Sequence, residues 1–373
     1  MKRLDFIGNL NDAKITTVEK DGKVYISDRD YDLLFGNSTV KFTTYNYTAN
    51  GLVKNKEVTI TPDKTPKDPV LYTNIYNIGT KKIGYLFYTG FVDDFDNRLY
   101  EEFSKFKTAG ITDLVLDLRY NRGGAVSSAI YLSSMIAPRA AVESKSPFII
   151  MKYNPMINKL FDDNKWDRKD YLGDYNDKKY SNPLNANLDL KKVYIIATSG
   201  SYSASELTTF CLKPYMEVIH IGTKTGGKYT ASWTIHAFDK EKGIPIYGTD
   251  DITEAQKTEL KNWAMQPIVA VYSNKNEETF INPGYLQPNY EFVEGFGSIA
   301  NWTQIGDTKD VLLGEALYLI TQDSNYKPVE PTQTRAFNSK VIIRNNKNQA
   351  IPVIDDIKLT PEKIKKLQEL KNR

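Results

Sequence analysis

The period of hydrophobic and polar positions changes several times along the chain, and each change marks an element. In "DNRLYEEFSKFKTAG" (96–110), Leu99, Phe103 and Phe106 recur at three- and four-residue spacing, which predicts a helix stopped by Gly110. "LVLDL" (114–118) and "KVYIIAT" (192–198) are continuous apolar runs, the pattern of strands buried on both faces. "KIGYLFY" (82–88), "MEVIHIG" (216–222) and "PIVAVYS" (267–273) read as further strands. "AVSSAIYLSSMIA" (125–137), "SASELTTFCL" (203–212) and "KDVLLGEALYLI" (309–320) read as helices, the second with Leu207, Phe210 and Cys211 turned inward. The stretch from about 140 to 190 is polar and aromatic-rich and reads as irregular. Strands alternating with helices predict an α/β fold with layered helices.

The first 60 residues carry a different pattern. "DFIGNLND" alternates and closes on an Asn-Asp turn, "DRDYDLLFG" reads as a short helix, and "TVKFTTYNYT" and "KEVTITP" are period-two strands. Three prolines in "TPDKTPKDP" then mark a linker, which places a domain boundary near residue 66. The expected organisation is a β-rich domain at 1–66, a main domain at 67–325 and a polar, Lys-rich extension at 326–373 that ends in a surface helix.

Composition removes several function classes. The 49 basic and 46 acidic side chains leave a net charge of +3 with no basic block, so nothing favours nucleic acid or an anionic surface. One cysteine, Cys211, excludes an internal disulfide framework, and with only His220 and His236 beside it a zinc site of the usual ligand set is not expected. "MKRLDFIGNL" has neither the apolar core nor the cleavage site of a signal peptide.

"GTKTGGKYTAS" (222–232) approaches a phosphate-binding loop, with Gly222, Gly227 and Lys228 at the right spacing. Tyr229 stands where that loop needs Ser or Thr, and the following "YTASWTIHAF" has the period of a strand where the loop needs a helix. A nucleotide site is therefore not expected. "TSGSYSASEL" (198–207) is more informative. Ser203 lies between a buried strand and a helix start, where a turn exposes a nucleophile and first-turn amides can stabilise an oxyanion. It is not the G-x-S-x-G elbow, because no glycine follows two residues on. The plain alternative is a helix cap, with Ser203 and Glu206 forming S-x-x-E.

"SYSASEL…IGTKTGGK" resembles the core signature of the C-terminal processing (tail-specific) serine peptidases, in which a nucleophilic serine precedes Ala-Ser-Glu and a lysine follows twenty-five residues later. Ser203 and Lys228 stand at that spacing. "LVLDLRYNRGG" (114–124) resembles the family's Asp-Leu-Arg strand end and Asn-x-Gly-Gly turn. "LKNWAMQPIVAVY", "NPGYLQPNYEF" and "IGDTKDVLLGEAL" follow in the family's order. "KRLDFIGNLND" is similar to a hairpin late in the family's PDZ-like domain, with Leu4 in the place of a glycine. The likeness spans about residues 1–322 and is strongest toward the branch found in Bacteroidetes-type bacteria. It implies a crotonase-like layered β/α peptidase core preceded by a partial PDZ-like domain, a periplasmic or cell-envelope setting, protein or peptide substrates, and no cofactor or nucleotide. Departures fall around the lysine. Ser232 replaces the Gln that usually orients the amine, Tyr229 a common Gly and Gly226 a common Phe, while Tyr120 and Arg122 replace Asn and Pro.

The implied chemistry is acyl transfer. Ser203 would attack, Lys228 would take its proton, and the amide of Ala204 with that of Gly123 or Gly124 would hold the oxyanion. A lysine amine is a base only when neutral, and an apolar pocket favours that form. His236 is the alternative base, since Ser–His pairs are the more ordinary arrangement. Asp117 and Arg119 read as a strand-end pair without a catalytic role, and Glu206 as a cap or a supporting group. A non-catalytic peptide- or lipid-binding protein of the same fold is the competing function. Nothing in the sequence specifies an oligomeric state.

Overall fold

Residue contacts group the chain into two units, Met1–Asp68 with Phe292–Ile351, and Pro69–Glu291 with Pro352–Arg373. The structure, a computed structural model, describes residues 6–20, 23–35, 39–48, 51–61, 67–239, 241–242, 244–293, 303–328 and 360–369. Leu4 and the prolines at 62 and 66 lie outside these residues.

In the first unit, β1 (Phe6–Leu10) and β2 (Ala13–Lys14) form a hairpin. Its Asn11 and Asp12 have φ of 46° and 65°, the primed turn whose twist matches the strands it joins. β3 (Thr17–Lys20) and β4 (Lys23–Ile26) pair separately, ahead of α1 (Asp28–Phe35). β5 (Val40–Thr48) and β6 (Gly51–Ile60) complete an antiparallel sheet of order β2-β1-β5-β6. Alternation along β5 turns Val40 and Phe42 inward, where Ile15, Leu33 and Leu34 pack on them.

The second unit opens with β7 (Val70–Ile78) and β8 (Lys81–Tyr88), then α2 (Asp96–Ala109) and β9 (Asp113–Asp117). α2 buries Leu99, Phe103 and Phe106 and ends at Gly110 in the left-handed region, as the sequence predicts. α3 (Val126–Ile136) and α4 (Arg139–Glu143) follow. The segment expected to be irregular is ordered. "PFIIMKY" forms β10 (Pro147–Tyr153), and α5 (Pro155–Asp163) starts with Asn154 capping Ile157 and Pro155 in the first turn. Next come β11 (Lys169–Tyr171), β12 (Lys192–Ala197), α6 (Ala204–Cys211), β13 (Glu217–Gly222) and β14 (Thr230–Ser232). α7 (Glu254–Lys261), β15 (Ile268–Ser273) and β16 (Tyr290–Glu291) close the run. α8 (Val311–Thr321) belongs to the first unit, whereas α9 (Pro361–Glu369) returns to the second. There it buries Ile364 and sets the Lys363 amine 5.1 Å over the Phe161 ring.

Two sheets organise this second unit. One has the order β16-β13-β12-β9-β8-β7, parallel except for the β7–β8 hairpin. The other, β11-β10-β15-β14, is antiparallel throughout. The central parallel strands are buried on both faces, which explains their unbroken apolar sequence. β14 is much shorter than the period of "YTASWTIHAF" predicts, and beyond it the stretch makes isolated bridges at Trp233, Ile235 and Phe238.

Asp96, the first residue of α2, is buried and accepts a hydrogen bond from Ser128 Oγ of α3 at 2.7 Å. Burial, reinforced by the charges of Asp93 and Asp94 and opposed by Ser128 and Lys179, pushes its pKa up to about 7. Below about pH 4 folded and unfolded chains both hold this proton; between about 4 and 7 only the folded chain does, so its contribution to stability falls as pH rises and levels off above 7. Asp96→Asn should therefore flatten the fall in melting temperature between pH 5 and 8. An unchanged pH profile in the variant would refute the assignment.

Candidate active site

Three neighbouring parallel strands, β9, β12 and β13, end together, and the loops leaving their carboxyl ends carry the Asn-x-Gly-Gly turn, Ser203 and Lys228. Such strand ends are where open α/β sheets form crevices. Asp117 closes β9, fully buried, and Arg119 Nε and Nη2 donate to its carboxylate at 2.9 and 2.6 Å. Tyr85 hydroxyl donates to the same carboxylate at 2.8 Å. This pair anchors the strand end, in line with the structural role expected of it.

Asn121 then ties the glycine turn to the serine turn. Its Nδ2 donates to Tyr88 O at 3.0 Å and its Oδ1 accepts from Gly123 N at 2.8 Å. Its main-chain carbonyl accepts from Tyr202 N at 3.1 Å and from Ser205 Oγ at 2.9 Å. The Gly123 amide is thus engaged by Asn121. The Gly124 amide makes no hydrogen bond among the described residues, and neither does that of Ala204 at the head of α6.

Ser203 sits between β12 and α6 with φ 54° and ψ −113°, a conformation that costs a non-glycine residue about 1–3 kcal/mol. The backbone therefore makes a strained strand-to-helix elbow without the flanking glycines of G-x-S-x-G. Space comes from the neighbouring loop: a Cβ on Gly123 would lie 2.8 Å from Ser203 Cβ and 3.0 Å from Ala204 N. A β-carbon on Gly124 would lie 2.0 Å from Phe91 O. Both glycines also have positive φ, 93° and 142°, so each is required twice over.

Lys228 and Ser203 are joined through their backbones. The fully buried Glu206 carboxylate accepts from Ser203 N at 2.9 Å and from Lys228 N at 2.8 Å, both through Oε2. Its Oε1 accepts from Gly227 N at 2.8 Å and from the Thr225 hydroxyl. Glu206 makes the cap contact that S-x-x-E predicts, and also gathers the lysine turn. From β15 the Tyr272 hydroxyl reaches the carbonyls of both residues, Lys228 O and, at 3.4 Å, Ser203 O. Lys228 itself is half-buried.

The remaining candidates lie as follows. Ser232 is buried at the end of β14, opposite Ile268. His236 Nδ1 lies 3.0 Å from Trp263 O, and its ring meets that of Tyr247 edge-on; neither Glu206 nor Tyr272 connects it to Ser203. His220 is buried with its ring nitrogens 3.2 and 3.1 Å from Gln287 O and Ala197 O, and burial holds its pKa below the usual value. No group of three or more His, Cys, Asp or Glu side chains suited to a metal occurs among the described residues. Asn121 and Tyr272 carried no assignment from the sequence. Both lie inside quoted motifs, Asn121 in "LVLDLRYNRGG" and Tyr272 at the end of "LKNWAMQPIVAVY", but neither motif assigns them a role.

The fold is similar to that of a candidate S41 protease from Bacteroides fragilis, with a TM-score of 0.64 and 25% identity over 86% of this chain and 74% of that one. A photosystem II D1 C-terminal processing protease aligns over 84% of this chain and 68% of its own, with 16% identity and a TM-score of 0.42. Residues 82–271, just over half of the 373, match the profile of peptidase family S41. This span holds the strand ends, the Ser203 elbow, Glu206, Lys228 and the start of β15, and the chain belongs to peptidase family S41.

Proposed function

We propose that this peptidase is a serine endopeptidase that cleaves unstructured proteins or peptides, with Ser203 as nucleophile and Lys228 as general base. The observation that carries the reading is the strained elbow at Ser203 whose amide shares one carboxylate oxygen with the amide of Lys228. Strain is retained in folded proteins where the surroundings enforce it, most often at reactive residues. His236 has no comparable link, which favours the lysine.

In the first half-reaction Lys228 Nζ takes the hydroxyl proton as Ser203 Oγ attacks the scissile carbonyl. The tetrahedral oxyanion accepts from the amides of Ala204 and Gly124, since the Gly123 amide is engaged by Asn121. Collapse breaks the C–N bond, and the lysine proton passes to the departing amine. Water, deprotonated by neutral Lys228 Nζ, then attacks the acyl-serine ester, and the lysine returns the proton to Ser203 Oγ as the acid product leaves.

Ser203→Ala should lower hydrolysis of an unfolded protein by about three orders of magnitude or more while leaving the melting temperature within a few degrees. Lys228→Arg should be nearly as damaging, because a guanidinium does not deprotonate in this range. Activity retained by Lys228→Arg but lost in His236→Ala would move the base to His236. A fluorophosphonate should label Ser203 as read by mass spectrometry; no label and no hydrolysis would favour a binding protein without turnover.

The glycine turn gives a separate test. Gly124→Ala pushes a methyl group onto Phe91 O and should shift the proposed oxyanion donor, lowering kcat by about 10²-fold in the folded variant. A folded Gly124→Ala enzyme with unchanged kcat would remove this amide from the mechanism.

A further inference from the structure

We propose that Tyr272 is a positioning residue for this site, fixing the spacing of Ser203 and Lys228 through a hydroxyl shared between their main-chain carbonyls. The proposal rests on the Ser203–Lys228 reading and extends it to a residue of the second sheet. The geometry is specific. Tyr272 lies in β15, opposite Met151 of β10, and its own amide donates to Tyr229 O at 3.3 Å. Its ring is 2% exposed and meets Phe280 at 5.8 Å between centroids. From this fixed base the hydroxyl reaches Lys228 O and, at 3.4 Å, Ser203 O.

Glu206 holds the two residues by their amides, from within the helix that Ser203 begins. Tyr272 holds the same two residues by their carbonyls, from a strand of another sheet. The two attachments do different things. An amide tether alone leaves each peptide unit able to rotate about its neighbours. Securing N–H and C=O of both residues fixes where each Cα–Cβ bond points, and hence where Oγ and Nζ can meet. A phenol has one proton to donate; Lys228 O takes the close contact and Ser203 O the longer one at 3.4 Å, so movement of either carbonyl shifts the hydroxyl between them. Reaction rates depend steeply on such placement, because an error of about 1 Å can cost about 100-fold.

Tyr272→Phe deletes the hydroxyl and keeps the ring. It should lower kcat by about 10- to 100-fold with KM changed less than about 3-fold, and slow fluorophosphonate labelling of Ser203 in parallel. Its melting temperature should remain within a few degrees of the parent. Tyr272→Leu removes hydroxyl and ring together and controls for packing. Positioning predicts that Leu and Phe lose similar kcat although Leu melts well below Phe. If instead kcat tracks melting temperature across the three proteins, or Tyr272→Phe labels at the parental rate, Tyr272 is structural only. A parent enzyme whose hydrolysis and labelling do not depend on Ser203 would overturn the serine–lysine reading itself, and this proposal with it.

Discussion

One buried carboxylate holds the site together. Glu206 brings a negative charge into an interior where an unpaired ion would cost several kcal/mol, and four donors meet it there: the amides of Ser203, Gly227 and Lys228 and the hydroxyl of Thr225. Three of these belong to a turn about twenty residues further along the chain. The carboxylate also lies in the first turn of α6, where the partial positive charge of the helix end favours it. Neither turn alone supplies enough donors, so the serine and lysine segments are satisfied only when brought together.

The strain at Ser203 is held by a second set of contacts. Asn121 binds the main chain ahead of the serine and the side chain of Ser205 behind it, while its own amide group fastens the loop to β8. Gly123 brings that loop close to the Ser203 β-carbon at a distance no other residue would allow. An elbow with glycines beside its nucleophile makes room within its own turn. Here the room is made on the neighbouring strand's loop, so the conformation of Ser203 is a property of two segments about eighty residues apart.

Most of the parallel sheet was legible because burial on both faces leaves continuous apolar runs, as in "LVLDL" and "KVYIIAT". α2 was equally plain, since its inward residues and terminal glycine agree. The segment 140–190 was not, because its short elements lie among polar and aromatic loops that dilute any period. β10 is the clear case: "PFIIMKY" is apolar, but only its pairing with a strand 120 residues later makes it part of a sheet. At the site, Ser203, Lys228 and the glycine pair stood out through motif spacing. The second hold of Glu206 and the reach of Tyr272 depend on tertiary proximity, which spacing does not encode. The strand-to-helix turn at Ser203 was legible without the G-x-S-x-G pattern, but the glycine that makes room for it lies on another loop.

The antiparallel sheet also sets an order of assembly. β14, just after Lys228, pairs with β15, and β15 in turn with β10. During synthesis Ser203 and Lys228 leave the ribosome before the strand that secures the lysine turn has been made. At about 5–20 residues per second, the gap to Ser273 lasts several seconds. Through that interval the emerging chain carries the lysine turn without the strand that pairs with β14 and bonds to Lys228 O. The lysine turn is therefore completed by a strand made later than itself, and the same late strand closes β10, more than a hundred residues earlier, into the sheet.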